Sequence, residues 1–220
     1  KFKKKLTGAR AAMEREVQQV RTRKVQYQRP KKRWFDRFRW FYTSDQVLVI
    51  GGRDAGQNEE LIRKYLEGGD TFVHADVHGA SVVIVKGKTD AMEEVAQFAA
   101  VYSGAWRAGF ASADVYAARP DQVSKTAESG EYLSRGSFVV RGERQWYRDV
   151  PLEVVIGLQK TPLTRIIGGP ASSITRICDL YVALRPGTFE PNDIAKKVVR
   201  SLRDRLSADD QKALKFALNT

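Results

Sequence analysis

One cysteine, two histidines and two methionines are all the thiol, imidazole and thioether groups that these 220 residues hold. A single cysteine, Cys178, excludes an internal disulfide and suits a reducing compartment. No apolar run approaches the ~20 residues that a membrane-spanning helix needs. The basic start, Lys1-Phe2-Lys3-Lys4-Lys5, leads into polar sequence rather than the apolar stretch of a signal peptide. Repeats and low-complexity tracts are absent too. A cytoplasmic protein with no membrane contact is the expectation.

Catalytic patterns are equally scarce. No serine sits in a GxSxG elbow, and no HExxH spacing occurs. Gly51-Gly52-Arg53-Asp54-Ala55-Gly56 lies between an expected strand and an expected helix. It carries Arg53 where a dinucleotide loop has its second glycine, and Gln57-Asn58 where a P-loop has Lys and Ser or Thr. It reads first as a tight turn and helix cap, with Arg53 left as a candidate contact to an RNA phosphate beside the helix start. His74, Asp76 and His78 alternate with period two, which would place them on one face of an extended segment. With no further histidine and no nearby cysteine, they read as structural or RNA-contacting groups ahead of a zinc site. Cys178 lies in the apolar string Ile177–Val182 and reads as an inert buried thiol. Neither an enzyme nor a cofactor is expected.

What the chain has is positive charge in one place. Lys and Arg number 38 against 26 Asp and Glu, a net of +12. Residues 1–40 hold 15 basic groups against Glu14, Glu16 and Asp36, which is 15 − 3 = +12. The remainder holds 38 − 15 = 23 basic and 26 − 3 = 23 acidic groups, so it balances. A basic segment of that density attracts polyanions, chiefly by releasing counterions from phosphates. The other reading is a charged helix flanking a coiled coil. Leu6, Ala9, Met13, Val17 and Val20 recur at helical spacing as a narrow seam, which predicts a helical arm over 1–28 ended by Pro30.

In Lys31–Tyr42, cations and aromatics interleave. Exposing so many adjacent rings would invite aggregation, so most are expected in a core with the cations left in water. Strands are expected at Gln46–Ile50, Thr71–Ala75, Val82–Lys86, Ala113–Ala117, Ser137–Arg141, Glu153–Leu158 and Cys178–Leu184. Helices are expected at Gln57–Leu66, 90–103, Asn192–Leu206 and Ala208–Leu218, with Asp54 and Gln57 as a capping box and Ser207 as a cap. This alternation predicts an α/β (α+β) fold: a mixed β-sheet with flanking helices, plus the N-terminal coiled-coil arm.

Several ordered strings carry a resemblance. Trp40–Asp45, Leu48–Ala55, Gln57-Asn58-Glu59, His74–Ser81, Asp121–Thr126, Ser129–Leu133 and Gly136-Ser137-Phe138 together resemble the RNA-binding domain of the NFACT family, the NEMF/RqcH group, in its archaeal or eukaryotic form. The resemblance implies that residues 1–29 end a coiled-coil arm, that 30–145 form the RNA-binding domain and that 146–220 form a C-terminal α/β extension. It implies large-subunit rRNA and tRNA as partners, on stalled ribosomes whose nascent chains receive untemplated C-terminal tails, and no catalytic residue in this part. The alternative is a protein-interaction module pairing with a partner helix. Candidate RNA contacts are Lys31, Lys32, Arg33, Arg37, Arg39, Arg53, His74, His78, Lys86, Lys125 and Arg141.

Overall fold

The computed structural model describes residues 31–126, 136–160 and 164–219. The expected arm over 1–28 therefore lies outside the described residues, as does the string Ser129–Leu133.

Period-two alternation builds the centre of the molecule. Along β2 (Leu48–Gly51), Val49 enters one apolar cluster and Ile50 another. In β4 (Val83–Val85), Val83 and Val85 take the first side and Ile84 the second. In β3 (Thr71–Ala75), Val73 and Ala75 oppose Phe72, and β5 (Ser112–Ala118) repeats the pattern with Val115 and Ala117 against Tyr116 and Ala118. Successive side chains point to opposite faces, so a sheet with two apolar faces must be covered twice. The cover on the first face is α2 (Met92–Val101), through Val95, Phe98 and Ala99. The second face packs against Phe35 and Phe38, Leu61 beyond α1 (Ala55–Glu60), and Val140 of the small ribbon.

The full order is β1-β2-β4-β3-β5-β8, with β1 at Arg39–Tyr42 and β8 at Gln145–Pro151. Every described strand pair is antiparallel, which corrects the expected mixed sheet. The reason is topological. Helical α1 connects β2 to β3, which run in the same direction, but β4 pairs between them. Likewise α2 leads from β4 to β5, and β3 pairs between those two. Split β-α-β units of this kind give a sequence that alternates strand and helix without placing parallel strands side by side.

β6 (Val123–Ser124) and β7 (Val139–Val140) form the two-stranded ribbon, so the strand expected over Ser137–Arg141 is shorter. A three-stranded sheet, β10-β9-β11, follows from β9 (Val154–Gln159), β10 (Arg165–Gly169) and β11 (Tyr181–Leu184). Cys178 lies outside β11, buried beside Gly157, where a Cβ would meet its sulfur at 2.8 Å. Burial pushes its thiol up to about 11. Short α4 (Ala171–Ile174) covers one face of this sheet, while α5 (Pro191–Asp204) and α6 (Ala208–Leu218) cover the other. Ser207 caps α6 by accepting from the Asp210 amide at 3.2 Å. The second sheet is moored to the first where Ser173 donates to the Tyr42 carbonyl at 2.5 Å.

The cation-rich string 31–42 divides only partly as expected: Lys31, Lys32 and Arg37 stay in water, but Arg33 and Arg39 are half-buried. Phe35, Phe38 and Phe41 are buried, whereas Trp34 stacks on Tyr65 at 4.8 Å and stays half exposed. Phe38 is wholly excluded from water. A Phe38→Ala chain should lose about 3–5 kcal/mol of stability, read as a lower denaturant midpoint with an unchanged slope. A loss under 1 kcal/mol would contradict this packing.

Candidate nucleic-acid interface

At one end of the large sheet, β1 begins, β2 ends and β4 begins. The register sets Arg39 opposite Gly51, and Gly51 opposite Val83. Three connections therefore meet there: the Gly52–Asp54 turn, the Gly79–Ser81 approach to β4, and the segment joining α2 to the short α3 (Gly104–Ala108). They enclose a cleft of about 660 Å³ that Val154 of β9 completes.

Arg39 holds this end together. Its Nη1 donates to the Gly52 carbonyl and, at 3.2 Å, to Ser81 Oγ. Its guanidinium lies over the Tyr102 ring at 4.6 Å. Ser81 Oγ in turn donates to the Gly52 carbonyl at 2.7 Å, and the Ser81 amide donates to the Tyr102 carbonyl at 3.0 Å. Asn58 supplies a second tie by accepting from the Val82 amide at 3.0 Å. Its Oδ1 would lie 2.1 Å from a Cβ at Gly52, so a side chain there would displace the tie. Gly104 faces the same limit, with the His78 carbonyl 2.3 Å from its would-be Cβ. Gly79 (φ +74°) leaves open space in front of its backbone.

Charge in the cleft is one-sided. Arg39, Arg53 and Arg107 line it, against Asp54. Burial lowers the proton affinity of Arg39; Tyr102 and Asp54 oppose this, and the like charges of Arg53 and Arg107 add to it. Asp54 is already committed as the cap of α1, accepting from the Gln57 amide at 2.9 Å. Arg53 does not pair with Asp54; it donates instead to the Phe38 carbonyl at 3.2 Å. Among the described residues neither Arg53 nor Arg107 is in an ion pair. Three guanidiniums against one carboxylate leave the cleft with an excess of positive charge, and the planar fork of donors on a guanidinium matches the geometry of a phosphate.

The other candidates lie elsewhere. Lys31 and Lys32 are exposed. Arg33 pairs with Asp36 at 2.9 Å and Arg37 with Glu60. Lys86 is held by Asp70 at 2.6 Å, Glu67 at 3.0 Å and the Tyr65 carbonyl at 2.8 Å. Lys125 donates to the Ser137 carbonyl at 2.5 Å, and Arg141 to the Thr126 carbonyl at 3.5 Å. His74 and His78 do not share a face, because β3 ends at Ala75 and the alternation stops with it. His74 is packed among Phe72, Tyr116 and Phe138, while Asp76 and His78 are exposed in the following turn. No group of three His, Cys, Asp or Glu among the described residues could hold a metal ion. Arg107, Tyr102, Trp106, Asn58 and Ser81 line the cleft without having been singled out. Ser103, which caps α3 at 3.2 Å from the Ala105 amide, was the available signal for a turn that presents Arg107.

The described residues form an α+β domain with an arginine-lined cleft at one end of its larger sheet. Residues 37–142 match the family model described as "NFACT protein RNA binding domain". The archaeal Rqc2 homolog aRqcH of Methanocaldococcus jannaschii is 37% identical over 193 residues, covering 85% of this chain and 28% of that protein. The ribosome quality control complex subunit NEMF homolog of Drosophila melanogaster is 38% identical over 161 residues, 70% of this chain and 16% of that one. Human NEMF, a ribosome quality control complex subunit, is 42% identical over 119 residues, 51% and 11% respectively. This chain belongs to the NFACT family and carries the RNA-binding domain of an RqcH/NEMF protein. It spans less than a third of the length of these relatives.

Burial holds the His74 imidazole down at about 4, from an ordinary 6.5, although the Ala80 backbone and Asp76 oppose the shift. Between those values the unfolded chain binds a proton that the folded chain refuses, so stability falls as pH drops from 6.5 towards 4. At ~1.4 kcal/mol per unit the loss is about 3 kcal/mol. Urea midpoints at pH 7.5 and 4.5 should differ less in a His74→Phe chain than in the parent; an equal difference would contradict the assignment.

Proposed function

We propose that this chain is the RNA-binding module of a ribosome quality-control factor, and that it carries out no chemistry of its own. The observation that carries the reading is the cleft. It gathers Arg39, Arg53 and Arg107 against one committed carboxylate, in a chain whose relatives are named for ribosome quality control. In the whole protein the module engages rRNA of a stalled large subunit and the tRNA held on it, in the cytoplasm. Tailing of the nascent chain belongs to the complete factor, to which this part contributes grip and placement. Phosphate contacts fix where and how a protein sits on RNA, without reading its sequence. The basic residues preceding the described body add attraction at longer range.

The test is fluorescence anisotropy with a labelled tRNA across a salt series. An Arg53→Ala/Arg107→Ala chain should bind at least tenfold more weakly at ~0.15 M salt. Its log–log salt slope should fall by about two, close to one per lost phosphate contact. Unchanged affinity and slope would remove the cleft from the RNA interface. A parent affinity that ignores salt would favour the alternative, a protein-interaction module.

A further inference from the structure

A second cavity adjoins the cleft. It measures about 240 Å³ and shares Arg39, Arg53 and Tyr102 with its larger neighbour. It lies between β1 and β10, and its remaining walls are mainly apolar, among them Phe38, Tyr42, Ile166 and Ile177. Sites for drug-sized ligands run to ~300–1,000 Å³, so this chamber suits one small ring system. It holds one further charged group. Arg165 lines it, with its Nε donating to Gln159 Oε1 at 2.6 Å and its guanidinium over Trp40 at 5.0 Å. The Nη1 of Arg165 is buried and has no hydrogen-bond acceptor. A buried donor left unmet is unfavourable, and the polar edge of a heterocycle carries the acceptors that such a donor lacks. Ile177, 39% exposed, stands at the rim as one of the few large apolar side chains left open to water.

An arginine-lined cleft beside a mainly apolar chamber, with Arg39 and Arg53 lining both, is complementary to a group in which an anion is joined to a flat ring. We infer that the paired cavities receive a single unpaired nucleotide of the bound RNA, its phosphate among Arg39, Arg53 and Arg107 and its base in the chamber. A paired base cannot enter, because its edge and both faces are engaged in the helix; an unstacked base in a loop or bulge can. The module then recognises an RNA distortion rather than a run of sequence. The inference rests on the RNA-binding reading above.

The test uses the full chain and two RNA hairpins, one with a single bulged 2-aminopurine and a twin with an abasic site at that position. The base-bearing hairpin should bind at least tenfold tighter at ~0.15 M salt, where phosphate contacts common to both hairpins still act. Its 2-aminopurine should become shielded from acrylamide quenching. Ile177→Trp, a substitution at a half-exposed rim position, should abolish the tenfold difference and leave abasic binding as it was. Equal affinity for the two hairpins, with the base still open to quencher, would overturn the chamber while leaving the RNA-binding reading intact. Absence of binding to either hairpin would overturn both. The two hairpins compared on the parent chain decide the matter even if Ile177→Trp does not fold.

Discussion

The guanidinium of Arg39 is the interaction on which the site depends. It joins the end of β2 to the start of β4 through Gly52 and Ser81, and it rests on Tyr102, the residue that follows α2. A half-buried cation is costly unless its donors are met, and here Nη1 is met by groups that also shape the cleft. Tyr102 adds a cation–π contact, a type worth about 0.5–2 kcal/mol. The same arginine therefore serves as brace and as charge. Its position follows from strand register, which sets Arg39 opposite Gly51, next to the Gly52 carbonyl that it meets.

That brace adds to backbone ties among the three connections, from the Gly52 amide to the Val82 carbonyl and from the Ser81 amide to the Tyr102 carbonyl. Each connection leaves a different element of the split β-α-β arrangement, and two of the contacts between them are close backbone approaches that a side chain would prevent. Gly52 against Asn58 and Gly104 against the His78 carbonyl are the two tightest. The three-stranded sheet closes the far side through Val154, and its β10 forms a wall of the smaller chamber. The C-terminal part of the chain thus belongs to the site's architecture as well as to its own core.

Much of this was legible in the residues. Thr71–Ala75 is expected as a strand with those bounds, because Thr71, Phe72 and Val73 have strong β character and follow Gly68-Gly69. The capping box at Asp54 and Gln57 holds in part: Asp54 accepts from Gln57, while the Gln57 side chain takes the Arg53 amide, one residue earlier than the pattern implies. β1 was missed because it opens on arginine and alternates weakly at a sheet edge, and β8 because Arg148 and Asp149 sit inside it. β10 was hidden by glycines at Gly168 and Gly169, which lower β propensity. Of the candidate contacts the structure brings Arg39 and Arg53 into one cleft; Arg107, on a five-residue helix, was beyond any periodicity argument. His74 and His78 came apart because alternation holds only while the strand lasts.

Residues 41–220 sum to zero, yet that balance conceals Arg53 and Arg107, which join Arg39 at one end of the sheet and have no ion pair among the described residues. Net charge reports long-range attraction, whereas a site depends on which cations lack carboxylates beside them. Ultraviolet crosslinking of the full chain to bound RNA, read by mass spectrometry, tests this account most directly. Crosslinked peptides should centre on Tyr102 and Trp106, the aromatic walls of the cleft. Crosslinks confined to Trp34, Tyr65 and residues 1–30, with none on the cleft, would contradict it.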